Sequence, residues 1–99
     1  MIKNGMRPIH PGEILREDYL KPLGMSANAL ARHLHVPASR INDIVLERRG
    51  ISADTALRLR RFFGGDAQSW LNLQTMYDLR VAESASAAVI AREVAPLTA

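Results

Sequence analysis

Four residues, 34–37, separate two short segments whose apolar residues recur at helical spacing, and this arrangement constrains the fold more than any other feature. The first segment, 27–33, follows Ser26, whose hydroxyl can cap the first turn of a helix. The second runs over about 38–46, and Pro37 suits its entry because the missing N–H would have no partner inside the helix there. Two short helices joined by so tight a connection form the helix-turn-helix pattern.

The second of these helices has a narrow apolar face and a wide polar one. At 100° per residue, Ile41, Ile44 and Val45 fall within about 100° of arc, so we expect them to pack on the body of the protein. The remaining surface is free to enter a groove of DNA. Arginine can bind guanine, asparagine adenine and aspartate cytosine, and serine is adaptable. These residue types stand here as Ser39, Arg40, Asn42 and Asp43. An ordinary amphipathic helix with a solvated face is the alternative.

Positive charge is concentrated in the middle third of the chain. Residues 32–61 contain seven arginines and three acidic residues, whereas 62–99 contain two arginines and four acidic residues. This distribution indicates a polyanionic partner for the middle of the chain, although a solvated charged surface would give the same counts. Arg48 and Arg49 follow the second helix of the pair, with Ser52 nearby, where phosphates would run.

The whole sequence predicts an all-α single domain, 1–99, with five or six helices. Residues 10–65 form the expected helix-turn-helix part of the domain, and residues 66–95 form a C-terminal helix or tail. Proline, glycine and capping residues mark the helix boundaries: Pro11, Gly12, Pro22, Gly24, Ser52, Gly64, Gly65 and Asp66. After a stretch of small residues, 84–88, the segment 89–94 is either a last helix or a short edge strand, because it contains β-branched residues.

The fifth helix carries Trp70, Leu73, Tyr77 and Val81 close to one face, and its candidate interface residues are Trp70, Leu73, Met76 and Tyr77. Such residues usually belong to a core. The core of this small domain already has other candidates: Ile14, Leu30, Leu34, Val36, Ile41, Ile44, Leu57 and Phe62. We therefore expect the fifth helix and residues 84–95 to form the interface of a two-fold dimer. Such a dimer would hold two recognition helices about 34 Å apart, one turn of DNA.

Other classes of protein are disfavoured by what the sequence lacks. It has no cysteine, which excludes disulfides, thiolate zinc sites and cysteine nucleophiles. No apolar run approaches ~18 residues and no signal-peptide core is present, so we expect a cytoplasmic protein. His33 and His35 are two apart and would face different sides of a helix, which is poor metal geometry. We expect neither catalysis nor a metal or other cofactor.

Residues 10–81 resemble the Xre/Cro-type helix-turn-helix family, and more narrowly the HigA-type (VapI-like) antitoxins of HigBA toxin–antitoxin modules. Five motifs carry the resemblance: HPGEIL at 10–15, RINDI at 40–44, TALRL at 55–59, WLNLQ at 70–74 and YDL at 77–79. It implies a lambda-repressor-like fold with a C-terminal dimerisation helix. It also implies a homodimeric repressor that binds its own operator in double-stranded DNA and neutralises an mRNA-cleaving toxin.

The resemblance assigns roles to individual positions. Base contacts are expected from Ala38, Ser39, Arg40 and Asp43, with Asn42 as a secondary reader, and phosphate contacts from Ser26, Arg48, Arg49 and Ser52. Two positions depart from the family pattern. Ala27 stands where many relatives have glutamine, which removes one expected contact, and His35 stands where many have glycine. A left-handed conformation at His35 costs a histidine something but is allowed.

A stand-alone repressor with the same DNA-binding domain, and without a toxin partner, is the alternative function. The toxin-binding surface has no motif with a chemical requirement, so the residues alone do not separate the two. The N-terminal arm, 1–6, and the acidic C-terminal third are candidate surfaces for a basic nuclease, although a solvated surface is the commoner explanation of each.

Overall fold

The computed structural model describes residues 7–98, and over this range it consists of five helices. Helix α1 has three consecutive parts, Pro11–Ile14, Leu15–Leu20 and Lys21–Leu23, of which the middle one is π-helical. The others are α2 (Ala27–Leu34), α3 (Ala38–Val45), α4 (Ala53–Phe63) and α5 (Ala67–Glu93). The all-α prediction is confirmed, and the N-terminal arm considered for toxin binding lies outside the described residues.

The start of α1 explains the histidine–proline–glycine run. Nδ1 of His10 accepts a hydrogen bond from the N–H of Gly12 at 2.8 Å, which caps the helix, and Pro11 occupies a position where no donor is needed. A Cβ added to Gly12 would lie 1.8 Å from the main-chain oxygen of Ile44. Only glycine therefore lets α1 lie directly against α3.

The middle of α1 widens into π turns immediately before Pro22. The N–H of Lys21 donates to the oxygen of Arg16, five residues earlier. Pro22 has no N–H to continue the α-helical pattern and its ring crowds the preceding turn, which the wider π turns relieve. The helix continues through Pro22 and ends at Gly24, whose φ of 61° is left-handed. The expectation that Pro22 helps to close this helix is therefore wrong, since Gly24 alone ends it.

The turn between α2 and α3 has three residues, one fewer than the sequence suggests, because α2 includes Leu34. His35 adopts the left-handed conformation, with φ 59° and ψ 47°, at the end of α2. The N–H groups of His35 and Val36 donate to the oxygens of Arg32 and Ala31, which is the usual closing arrangement of a helix. His35 thus takes the conformation that glycine takes more easily.

Helix α5 is one continuous helix of 27 residues, so the predicted break at 84–88 and the alternative strand at 89–94 are both wrong. Oδ1 of Asp66 accepts from the N–H of Ser69 at 2.7 Å and caps it, as predicted. The helix is about 40 Å long, and the molecule measures 53 × 24 × 24 Å because α5 extends beyond the body. None of the helices within residues 7–98 combines the length and apolarity needed to cross a membrane.

The core takes residues from all five helices and from the α3–α4 loop: Leu15, Leu20, Leu30, Ala31, Leu34, Ile41, Ile44, Val45, Ile51, Ala56, Leu59 and Trp70. Two core predictions on α4 are wrong. Leu57 is 59% exposed and Phe62 is 38% exposed. The buried residues of α4 are instead Thr55, Ala56 and Leu59.

Candidate nucleic-acid interface

Helix α3 is fixed on the body by its apolar stripe and presents its other side to solvent. Ile41 and Ile44 are fully buried, and Val45 is nearly so, as the helical periodicity predicts. Ala38 and Ser39, at the start of the helix, are exposed. The helix is therefore held rigidly through one face while its first turn is available to a groove.

Arg40 is held by an acidic residue of α4. Its Nη1 donates to Oδ2 of Asp54 at 2.7 Å, and the same oxygen accepts from Nε of Arg58 at 2.9 Å. These two hydrogen bonds lower the pKa of the Asp54 carboxyl, that from Arg58 having the larger effect. Asp54 therefore remains ionised and keeps Arg40 near the start of α4.

Asp43 is paired with the two arginines that follow α3. Its Oδ1 accepts from Nη2 of Arg48 at 2.9 Å, and its Oδ2 lies 3.5 Å from Nη2 of Arg49. The structure thus brings together a predicted base reader and two predicted phosphate contacts. The same carboxylate orients both arginines, so it must leave or share them when it contacts a base.

Asn42 is engaged within the helix pair. Its Nδ2 donates to Oδ1 of Asn28 on α2 at 2.7 Å and to the main-chain oxygen of Ala38 at 2.9 Å. Asn42 therefore connects the two helices of the motif. Asn28 is exposed, like Ser39, and sequence reasoning missed it, since no local pattern relates an asparagine to a partner 14 residues away.

The two serines expected to contact phosphates both cap helices. Oγ of Ser26 accepts from the N–H of Ala29 at 3.0 Å, and Oγ of Ser52 accepts from the N–H of Thr55 at 3.3 Å. The hydroxyl of Ser52 also donates to Oγ1 of Thr55 at 3.2 Å. Both caps were predicted. The positive end of α2 lies at Ser26, and the positive end of α4 lies at Ser52, in the loop that carries Arg48 and Arg49.

The loop 46–52, which carries the two arginines, is anchored from both sides. Oε1 of Gln74 on α5 accepts from the N–H of Ile51 at 2.7 Å. On the other side, Arg16 of α1 donates from Nη1 to the main-chain oxygen of Val45 and lies 3.5 Å from the carboxylate of Glu47. Sequence reasoning assigned no role to Gln74 or Arg16, because both partners are distant along the chain.

The four residues predicted to form a dimer interface are mostly used inside the chain. Trp70 is 4% exposed and its ring lies 5.2 Å from that of Tyr19, so it belongs to the core and has almost no surface left for a partner. Leu73 packs against the core, and the ring of Tyr77 lies 4.7 Å from that of His10. Met76, in contrast, is 61% exposed.

Further exposed apolar residues lie towards the C-terminal half of α5: Leu79, Val81, Val89 and Ile90. An open groove of about 340 Å³ runs along this half and is lined by Leu79, Ala82, Glu83, Ala87, Ile90 and Ala91. The unpartnered apolar surface therefore begins at Met76 and extends along the part of α5 that projects from the body.

Comparison with known proteins places the chain among DNA-binding regulators. The helix-turn-helix family model matches residues 17–70. Virulence-associated protein I of Dichelobacter nodosus is 74% identical over 81 residues, which cover 82% of this chain and 75% of that protein.

Solved structures give the same result at the level of the fold. The structure of Pseudomonas aeruginosa antitoxin HigA with the higBA promoter superposes with a TM-score of 0.90 at 54% identity, covering 92% of this chain and 99% of that one. Antitoxin GraA in complex with its operator superposes with a TM-score of 0.89 at 52% identity, and both chains are covered completely. Both of these solved relatives are antitoxins, one determined with its promoter and the other with its operator.

Proposed function

The chain belongs to the HigA-type (VapI-like) antitoxins of the helix-turn-helix family, and from this premise we propose that it acts as a dimeric repressor of its own operator and neutralises an mRNA-cleaving toxin. DNA binding is the part that the geometry supports most directly. The observation that carries it is the orientation of α3, whose apolar stripe packs against the body of the protein while Ala38 and Ser39 are exposed.

Helix α3 reads bases from the major groove in this proposal. Ser39 and Arg40 are the principal readers, because they lie in the first turn, which enters the groove first. Ala38 supplies an apolar contact, for which a thymine methyl is suited. Asn42 and Asp43 are secondary readers, because they follow the first turn of α3; within the chain they pair with Asn28 and Arg48 respectively.

Phosphate contacts come from the loop after α3 and from the starts of α2 and α4, and they fix the register of the protein on DNA. Arg48 and Arg49 have side chains 64% and 48% exposed, and the loop that carries them is anchored to both α1 and α5. Ser26 and Ser52 contribute through the helix starts that they cap, where main-chain N–H groups favour an anion.

Dimerisation is assigned to the projecting half of α5. A solvent-exposed apolar face on a helix that extends beyond its own domain is favourably buried against a second copy. We place the interface at Met76, Leu79 and Ile90 and the groove beside them, rather than at Trp70.

The DNA-binding part is tested with a library of random duplexes from which the purified protein selects its preferred sequence. The expected product is a palindromic site with half-sites one helical turn apart. Replacing Arg40 by alanine should then weaken the free energy of binding to the selected site by about 1–3 kcal/mol and reduce selectivity at one base pair. Selection of no sequence at all would contradict operator binding.

The antitoxin part is tested separately in the native cells. The tagged protein is isolated with its partners, and any small co-purifying protein is expressed alone and together with it. We expect a partner that stops growth only when this chain is absent. If no such partner is found while the gene immediately upstream is expressed, the chain acts as a stand-alone repressor.

A further inference from the structure

The carboxylate of Asp54 connects the proposed reading side chain to two other helices. Its Oδ2 accepts from Nη1 of Arg40 on α3 and from Nε of Arg58 on α4. Arg58 also donates from Nη1 to the main-chain oxygen of Leu34, at the end of α2, at 2.8 Å. One acidic side chain thus links α2, α3 and α4 around the first turn of α3.

This contact leaves one edge of the Arg40 guanidinium free. Within residues 7–98, Nη1 is the only nitrogen of that side chain with a hydrogen-bond partner. A guanine presents the acceptors O6 and N7 in the major groove, and arginine binds them with two parallel donors. Nε and Nη2 provide such a pair on a single edge. Arg40 can therefore be held by Asp54 and bind guanine at the same time.

Holding Arg40 in this way changes how it binds. An unrestrained arginine has many rotamers, and fixing one of them on binding opposes affinity. It could also swing to a phosphate, which carries no sequence information. A hydrogen bond that holds Nη1 limits the number of rotamers before DNA binds, and it keeps the side chain from reaching a phosphate. Both effects favour the contact with a base.

We propose that Asp54 is a positioning residue that determines specificity: by holding Nη1 of Arg40, it directs the Nε–Nη2 edge at a guanine of the operator. The inference rests on the proposed function, because it requires α3 to read DNA. Asp54 itself touches no base. A purely electrostatic role would have the opposite consequence, since its negative charge repels phosphates and its removal would strengthen binding to every duplex.

The test uses the full chain and Asp54→Asn. Each protein selects duplexes from a random library, and affinities are then measured for the selected site, for its single-base-pair variants and for an unrelated duplex. We expect Asp54→Asn to lose about tenfold in discrimination at one G·C pair in each half-site. Binding to the unrelated duplex should be unchanged or tighter, because the protein gains positive charge.

Glu17→Gln is the matched control. Glu17 is also an exposed carboxylate that pairs with two basic side chains, Arg16 and Lys21, so the variant has the same change of charge and loses the same number of ion pairs. Both of its partners lie on α1, and we expect discrimination at the G·C pair to be unchanged.

Two further variants test whether Asp54 acts through Arg40. Asp54→Glu retains the charge but moves the carboxylate, so it should also lose discrimination, and it provides the same test if Asp54→Asn does not fold. Arg40→Ala should remove discrimination at the same base pair, and combining it with Asp54→Asn should cause no additional loss.

The outcomes separate this inference from the function beneath it. If Arg40→Ala loses discrimination while both Asp54 variants keep it in full, the positioning role is wrong and base reading by Arg40 stands. If Arg40→Ala itself keeps full discrimination, the positioning role and the reading role are both wrong. If the unaltered protein binds all duplexes equally, operator binding fails and the inference fails with it.

Discussion

Gln74 on α5 accepts a hydrogen bond from the main-chain N–H of Ile51 at 2.7 Å, and this single contact ties the projecting helix to the basic loop 46–52. Nε2 of Gln74 donates to Oδ1 of Asp78 at 2.9 Å, which fixes the orientation of the carboxamide. Gly50 lies flat against it, because a Cβ there would be 2.9 Å from all three terminal atoms of Gln74. The proposed dimer helix and the proposed phosphate loop are therefore in direct contact.

Gln74→Ala should lower the free energy of unfolding by about 1–3 kcal/mol, because the N–H of Ile51 is left without its partner. Denaturant unfolding monitored by circular dichroism measures this. Gln68→Ala is the control, since Gln68 lies on the same helix and bonds only to exposed Asn72. Equal destabilisation by the two variants would show that the contact with Ile51 is unimportant.

Gly12→Ala should be more disruptive, by about 3 kcal/mol or more, because its Cβ would overlap the main-chain oxygen of Ile44 and α1 would have to move away from α3. Gly50→Ala is the comparison. Its Cβ would meet only the end of the Gln74 side chain, which can shift, so its cost should be smaller. Thermal unfolding of both variants gives the order, and a greater loss for Gly50→Ala would contradict the close approach of α1 and α3.

His10 should make stability depend on pH. Burial lowers the pKa of His10 below its ordinary 6.5, and its Nδ1 must stay unprotonated to accept from Gly12. Stability is therefore complete above about pH 6.5 and falls as the pH drops below it, because the unfolded chain then binds a proton that the folded chain does not. The slope is at most about 1.4 kcal/mol per pH unit, the limit for one proton.

Urea unfolding between pH 7.5 and 5 measures this slope. His10→Asn keeps an acceptor at the cap but does not titrate, so the slope should disappear in that variant. His33→Gln, which changes an exposed histidine, should keep it. Glu13, Glu17 and Asp54 add a slope of their own only towards the lower end of this range, because their pKa values are lower in the folded chain than the 4.5 and 3.8 of free carboxyls and the unfolded chain takes up protons there first. The slope above about pH 5.5 is therefore the one assigned to His10. A slope that survives in His10→Asn would contradict the assignment.

The fold was largely predictable because its signals are local. Ser26, Ser52 and Asp66 each precede a helix that they cap, and the spacing of Ile41, Ile44 and Val45 identifies the buried stripe of α3. The error at 84–94 has a physical reason. β-Branched residues and serines lower helix propensity only weakly, and a helix already begun at Asp66 continues through them cooperatively.

The network around the candidate site was not predictable from the sequence, since its contacts are distant along the chain. Arg40 meets Asp54 across 14 residues, Arg58 meets Leu34 across 24, and Gln74 meets Ile51 across 23. Residue types indicated what could bind DNA, but periodicity within one helix carries no information about which carboxylate of another helix holds an arginine.

Arg49→Ala should weaken binding to the selected operator and to unrelated duplexes by similar factors, because a phosphate contact is independent of sequence. The slope of log affinity against log salt concentration should flatten by about one unit. Arg92→Ala is the control, as it removes the same charge from the last turn of α5, far from the basic loop. Loss of binding to the operator alone would instead make Arg49 a base reader.

Leu79→Glu should convert the proposed dimer into a monomer. Leu79 and Ile90 lie within about 20° of each other around α5, both more than half exposed, and line the groove on its projecting part. A charge there would be buried without a partner in the proposed interface, which is strongly unfavourable. Ala88→Glu adds the same charge about 180° away on the same helix and should remain dimeric. Light scattering at tens of micromolar protein distinguishes a monomeric from a dimeric variant, and helical content should be equal in both.

Because a monomer contacts one half-site only, Leu79→Glu should also bind the operator more weakly than Ala88→Glu while keeping the same base preference within the half-site. If both variants stay dimeric, the interface lies elsewhere than on this face of α5.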